Sequence, residues 1–388
     1  TGAADQNGAP FDVYWGFTLN KAKLYEPRQM QAWRAAPRAV INSIPLMTQL
    51  VGEKPSIATL QLACYKDFGG GSGQHQPAVA GDLKTGDWCG FTHRAFNARR
   101  ETLSGPVRLQ FNTMRMHARA LLEQHAPGTK GHVSLWIVKP MLSFSQQGIR
   151  LVALRGADTS SEASMVAWAE RHVPVGDFTL QKYLEAPMLW KDRKFDMRVL
   201  ALITSVRPLR FYVLDHAFPK IATKPYSTGL DSLGDACVHF KMPVCEAPVK
   251  PYPASTDERL FRDHLDPLTS LGGGGDADAA WEEVIYPRVV QTLLKMVLVA
   301  RREVMEADRQ LCEEGAAQRR VQVLQPDVLL DREGRPYIVE VNTNGFMVGA
   351  LHADFFDATP QMRTALEISG VNGFPLRSQY EANVTAVV

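Results

Sequence analysis

From residue 132 to 215 the apolar positions fall into short, dense runs broken by polar turns, the spacing of strands rather than of helices. HVSLWIVKP (132–140) reads as a strand ending at Pro140, and GIRLVAL (148–154) as a second one after a polar turn. FTLQKYLE (178–185) reads as a short strand leading into a connector. DMRVLALITS (196–205) and LRFYVLD (209–215), separated by VRP, predict a hairpin. The period then lengthens. WEEVIYPRVVQTLLKMVLVARREVMEA (281–307) places its apolar residues three and four apart, as an amphipathic helix does, with a break or kink expected at Pro287. VQVLQPDVLLD and YIVEV, on either side of REGRP, return to strand spacing as a second hairpin. Antiparallel strands interleaved with helices predict an α+β fold rather than a doubly wound sheet.

Charged residues interrupt these strands at a few places. Lys139 ends LWIVK and Lys182 lies in LQKYL. Strand residues two apart share a face. Lys194, Asp196 and Arg198 of KFDMR therefore project together, as do Glu340 and Asn342 of VEVN. Pairing across REGRP brings Asp327 towards that second face. Two carboxylates and an amide oxygen are a donor set that suits Mg2+, which is usually shared with substrate phosphates. Lysines and an arginine beside it suit a polyphosphate and a developing negative charge. Singly, each residue has an ordinary explanation: a solvated lysine at a strand end, an ion-paired edge at KFDMR, a turn aspartate after Pro326. Their joint occurrence is what points to a site.

The totals add bounds. A chain of 388 residues with 45% hydrophobic and 22% charged residues builds a large core and two or three lobes. A net charge of +2 gives no bulk attraction to nucleic acid or membrane, and neither is expected as a partner. No apolar run reaches transmembrane length. The five cysteines (Cys64, Cys89, Cys237, Cys245, Cys312) form no CxxC pair and lack zinc spacing, so free thiols in a reducing compartment are expected. The chain starts at Thr1, which leaves a preceding targeting segment open. The glycine runs at 69–73 and 272–275 read as surface loops rather than phosphate cradles. RRETLSGPVRLQFNTMRMHARALLEQH (99–125) reads as an amphipathic helix with solvated arginines, the alternative being a basic surface that meets an acidic protein tail.

LWIVKP, the block from Gln181 to Asp215, IATKPYS and PDVLLDREGRPYIVEVNTN together resemble the ATP-grasp fold, and within it the tubulin–tyrosine ligase-like family. The likeness runs over roughly 132–345. It implies a smaller N-terminal lobe (1–130) for acceptor or partner contacts, a central lobe (131–190) and a C-terminal catalytic lobe (191–388), with the nucleotide between the last two. It implies an ATP- and Mg2+-dependent ligase: a carboxylate is phosphorylated and an amine attacks the acyl phosphate. The amino acid added would be glutamate by first choice, and the acceptor a protein, tubulin or another acidic tail, in the cytoplasm or at a microtubule or cilium. By motif, Lys139 would contact phosphates, Gln181, Lys182, Tyr183 and Leu184 would line the adenine pocket, and Lys194 and Asp196 would hold the nucleotide. Arg198 and Lys220 would serve the reacting carboxyl, and Asp327, Glu340 and Asn342 would bind Mg2+.

Three stretches depart from the family pattern. PMLSFSQQG (140–148) lacks the usual glycines and arginines that let amides close over phosphates. Lys220 replaces an arginine and loses its planar fork. VHFKMP (238–243) keeps His239 but has Lys241 and Met242 where a threonine and an asparagine are usual, and Met offers no amide. These losses support an alternative reading, a catalytically weakened or inactive relative that serves as a structural or binding subunit of a larger assembly.

Overall fold

The computed structural model describes residues 40–52, 55–68, 89–101 (except 94), 108–111, 133–141, 148–240 (except 174), 277–315 and 318–343, together with short pieces at 13–14, 31, 245, 265–266, 364–369 (except 366) and 384–386. The strands are β1 (Val40–Asn42), β2 (Ala95–Glu101), β3 (Arg108–Phe111), β4 (Val133–Pro140), β5 (Arg150–Arg155), β6 (Gly176–Lys182), β7 (Arg193–Val206), β8 (Leu209–Ile221), β9 (Arg319–Leu330) and β10 (Pro336–Asn342). The longer helices are α1 (Ser56–Phe68), α2 (Glu162–His172) and α3 (Tyr286–Glu313). The α+β class expected from the pattern is what these residues form.

Two sheets organise them. The smaller is antiparallel, in the order β3–β2–β6–β4–β5. Trp168, Ala169 and Val173, on α2 and at its end, pack on Trp136, Val152, Phe178 and Leu180 of this sheet. The larger sheet runs β1–β9–β7–β8, with β10 on the same edge of β9 as β1 but further along the strand, and short strands at its margins. Alternation along β7 decides which face is core. Phe195, Met197, Val199, Ala201 and Ile203 face Val289, Leu293, Met296, Val297 and Ala300 of α3. The opposite face is charged at Lys194, Asp196 and Arg198 and turns apolar only at Leu200 and Leu202, the latter packing on Val321, Val323 and Ile368.

Both predicted hairpins form, β7–β8 and β9–β10. The helical pattern is interrupted next to Pro287 as expected: a π-helical turn at Trp281–Ile285 gives way to the α-helix of α3, with Pro287 in its first turn. Two expectations are corrected. Residues 99–101 and 108–111, read as part of an amphipathic helix, are strand, because β2 pairs with β6 and β3 with β2; residues 112–125 lie outside the described residues. That sheet therefore also crosses the expected lobe boundary at 130. The free-thiol expectation also fails for four cysteines. Cys64 is bonded to Cys89, and Cys237 to Cys245, with Cα atoms 5.6 and 5.7 Å apart. Separations of 25 and 8 residues carry no motif, so the amino-acid order alone carried no signal for either pairing. Cys312 is free and exposed. The thiol argument for a reducing compartment thus loses its premise. Both glycine runs, residues 142–147 and Lys241–Pro243 lie outside the described residues, and among those described no helix is long and apolar enough to cross a membrane.

Candidate active site

Strand register assembles the site. Phe218 pairs with Arg198, Arg198 with Asp327, and Asp327 with Glu340, one row across β8, β7, β9 and β10. Two residues along, Lys220 pairs with Asp196, and Gln325 with Asn342. Arg198 grips Asp327 through both oxygens, Nε to Oδ1 at 2.8 Å and the terminal nitrogen to Oδ2 at 3.0 Å. This is the paired, planar geometry that arginine favours. Lys220 Nζ lies 2.5 Å from Asp196 Oδ1 and 2.7 Å from Asp327 Oδ2. The Asp327 side chain is 6% exposed and the other three about a fifth exposed.

Burial and pairing oppose each other in this cluster. For Asp327 burial pushes the carboxyl up, but Lys220 and Arg198 together outweigh it and hold it at about 2. For Asp196 burial prevails over Lys220, and its carboxyl is raised. Lys220 and Arg198 are raised: burial works against their charge, and Asp196 and Asp327 overcome it. Glu340, directly across from Asp327, is exposed and makes no ion pair among the described residues. The Asn342 amide nitrogen is buried without a hydrogen-bond partner. No group of three or more His, Cys, Asp or Glu that could hold a metal occurs among the described residues. The set expected for Mg2+ consists of two carboxylates, one of them engaged by cations, and an amide.

The residues expected on the nucleotide side fall into two further groups. Lys139, at the end of β4, donates to Gln181 Oε1 at 2.7 Å and to the Val339 carbonyl at 3.1 Å, so it reaches from one sheet to the other. Lys139 and Glu340 line a shared cavity of about 30 Å3 with five aliphatic residues. Lys194, 5% exposed, sits 4.2 Å above the Tyr183 ring and donates to the His239 carbonyl at 3.3 Å. Burial lowers its pKa to about 7, despite the opposing pull of Asp196. His239 Nδ1 is 3.0 Å from the Tyr183 hydroxyl, and burial together with Lys194 lowers the imidazole to about 4.

Lys182 joins neither group. It turns towards Glu185 and donates to the Leu135 carbonyl at 3.1 Å. Leu184 is buried and its carbonyl accepts from Tyr226 at 3.4 Å. Sequence reasoning missed Thr92, His93 and Tyr226. Thr92 donates to the Ile338 carbonyl at 2.6 Å, and His93 stacks on Tyr337 at 4.0 Å. Thr92 and His93 come from a stretch without strand or helix periodicity, so the pattern carried no signal for them, whereas Tyr226 lies in IATKPYS, a stretch that the resemblance marks.

With this geometry in view, comparison with known proteins is specific. The model of the tubulin-tyrosine ligase family matches residues 93–347. The human tubulin monoglutamylase TTLL4 is 25% identical over 244 residues, 61% of this chain and 18% of that protein. The mouse protein monoglycylase TTLL8 is 26% identical over 223 residues, 55% of this chain and 24% of the relative. The tubulin polyglutamylase ttll-4 of Caenorhabditis elegans is 24% identical over 242 residues, 61% and 36%. The chain thus spans between about a fifth and a third of the lengths of these relatives.

Proposed function

The chain belongs to the tubulin-tyrosine ligase family, and we propose that it is an ATP- and Mg2+-dependent ligase that joins an amino acid, glutamate, to a carboxylate of an acidic protein tail such as that of tubulin. The observation that carries this reading is the row Arg198–Asp327–Glu340 flanked by Lys220 and Asp196, which gathers carboxylates and cations on one sheet face beside Lys139. In the proposed reaction the terminal phosphoryl group of ATP passes to the acceptor carboxylate, with loss of ADP. The amine then displaces phosphate to form the amide. Arg198 and Lys220 put positive charge where oxygen charge grows. Lys139 and Lys194 serve the nucleotide.

The donor chemistry fits Mg2+. Glu340 is a carboxylate without an ion pair among the described residues, Asp327 stands opposite it, and the unpartnered Asn342 amide lies two residues on. When bound, the ion would neutralise phosphate charge. Glutamate rather than glycine is supported by two of the three relatives above, whose names are those of glutamate-adding enzymes. An acceptor of this kind goes with a proposed location in the cytoplasm or at a microtubule or cilium.

One observation favours a second reading, a binding subunit without turnover: Arg198 and Lys220 already occupy both oxygens of Asp327, so a metal must compete for them. Calorimetric titration with ATP and Mg2+, followed by incorporation of labelled glutamate and glycine into tubulin, separates the two. We expect ATP binding that needs Mg2+, glutamate incorporation, and loss of both in Glu340→Gln with an unchanged melting temperature, since Glu340 is exposed. Folded wild-type protein that ignores ATP overturns the ligase reading. Binding without incorporation of either amino acid leaves the binding subunit.

A further inference from the structure

We propose that Thr92 and Gln181 are positioning residues that set the Lys139 ammonium for nucleotide phosphates, through a ring of hydrogen bonds that begins and ends on adjacent carbonyls of β10. The inference rests on the ATP reading above and adds two residues to it. The Thr92 hydroxyl donates to the Ile338 carbonyl at 2.6 Å. Its oxygen accepts from Gln181 Nε2 at 3.0 Å. Gln181 Oε1 accepts from Lys139 Nζ at 2.7 Å, and Lys139 donates onward to the Val339 carbonyl at 3.1 Å. All three side chains are buried, at 3%, 4% and 8% exposure.

The direction of the ring follows from its ends. A carbonyl only accepts and an ammonium only donates. Thr92 has one hydroxyl hydrogen, and Ile338 takes it. Towards Gln181 the threonine therefore offers a lone pair, which selects the NH2 end of the amide. The amide oxygen must then face Lys139, as the ammonium also requires. A β-bulge supplies the last acceptor. Asp327 pairs with Glu340 and Val328 with Ile338, so Val339 is the extra residue, and its carbonyl turns to Lys139. The ring closes one residue before Glu340, on the cavity that Lys139 and Glu340 share. Thr92 is itself fixed from behind, because Gln61 Nε2 donates to the Thr92 carbonyl at 2.7 Å and to that of Cys89 at 3.0 Å.

Thr92→Val keeps the shape but removes both the donor to Ile338 and the acceptor for the Gln181 NH2. The amide then turns towards the His93 carbonyl, 3.5 Å away, and draws its oxygen off Lys139. Serine keeps the hydroxyl. The test is calorimetric binding of ATP and AMP to wild type, Thr92→Val and Thr92→Ser. AMP has the base and one phosphate, so it reports a general loss of the pocket. The ratio of the two affinities reports the cation that meets the outer phosphates.

We expect Thr92→Val to lose roughly tenfold or more of the preference for ATP over AMP, the scale of one hydrogen bond to a charged group. AMP affinity should hold, and Thr92→Ser should retain the wild-type ratio. In a Lys139→Met background, Thr92→Val should change the ratio no further. If Thr92→Val does not fold, Thr92→Ala, which also removes the hydroxyl, is read in the same way. Equal weakening of ATP and AMP, or an unchanged ratio, overturns the inference while the ligase reading stands. Wild-type protein that binds neither nucleotide overturns both.

Discussion

Arg198 and Lys194 lie four residues apart on one face of one strand, yet they are held by opposite means. Arg198, with Lys220, is closed onto Asp327 and Asp196, two cations against two carboxylates. Lys194 has an aromatic ring beneath it and a backbone carbonyl beside it, and no ion pair among the described residues. For Arg198, Lys220 and Asp327 burial is compensated, so their charge is retained over a wide pH range. For Lys194 it is not, and the charge is marginal at neutral pH. A compensated cluster is held by its own partners. An uncompensated lysine is completed by an anion. The sheet face thus combines a rigid part with a receptive one.

The largest effect should come from breaking the compensated part on one side. Asp327→Ala leaves Arg198 and Lys220 facing each other without the carboxylate between them. Loss of one partner from a buried pair costs about 3–5 kcal/mol, and chemical denaturation should show a loss of that order. The acid limb checks the same group. Its carboxyl is lowered from 3.8 to about 2, so the folded state binds fewer protons than the unfolded one between those values. The stabilisation is fully present above 3.8 and disappears as pH falls through about 2. Asp327→Asn should remove that dependence.

Lys194 should show a smaller effect, with a pH dependence of the same sign in a different window. Its pKa falls from 10.5 to about 7, so between those values the unfolded chain holds a proton that the folded one has released. Stability attributable to this residue therefore rises from pH 7 towards 10.5 and is lost on acidification, and Lys194→Met should flatten the curve there. If a nucleotide completes the cage, it draws the proton back. ATP binding at pH 7.5 should then take up protons, seen as calorimetric enthalpies that depend on the ionisation enthalpy of the buffer. Loss of this dependence in Lys194→Met is the expected result. Wild-type enthalpies that are the same in all buffers would break the contrast between the two cations.

The contrast was half legible in the amino-acid order. Alternation in KFDMR put Lys194, Asp196 and Arg198 on one face, and the REGRP turn put Asp327 opposite Glu340, because short turns transmit register over a few residues. Residues that no turn connects carried no such information. The pairing of β7 with β9 joins Arg198 to Asp327 across 129 residues. Thr92 meets Ile338 across 246. The stretch that forms β2 and β3 looked helical because β6, the strand that β2 pairs with, is remote in sequence, and that pairing, with β3 added on β2, overrides local pattern. Gln181 was expected at the base of the nucleotide. Its side chain meets Thr92 and Lys139, contacts visible only once both sheets are in place.

The smallest effect should come from a guanidinium that looks equivalent to Arg198 on paper. Arg309 on α3 contacts Glu306 at 2.6 Å and also pairs with Glu313, and these carboxylates raise its pKa as Asp327 raises that of Arg198. The difference is water. Arg309 is exposed at 43% of its side chain and Glu313 at 62%. Solvent and salt screen such pairs, and side-chain ordering offsets much of what remains. Arg309→Met should leave the denaturation midpoint within replicate scatter. Arg198→Met, which strands Asp327 with Lys220 alone, should shift it clearly, and the shift should persist in high salt. A midpoint that moves equally for both substitutions would mean that the compensated cluster is no more than a surface ion pair. The division of the sheet face into rigid and receptive parts would then rest on Lys194 alone.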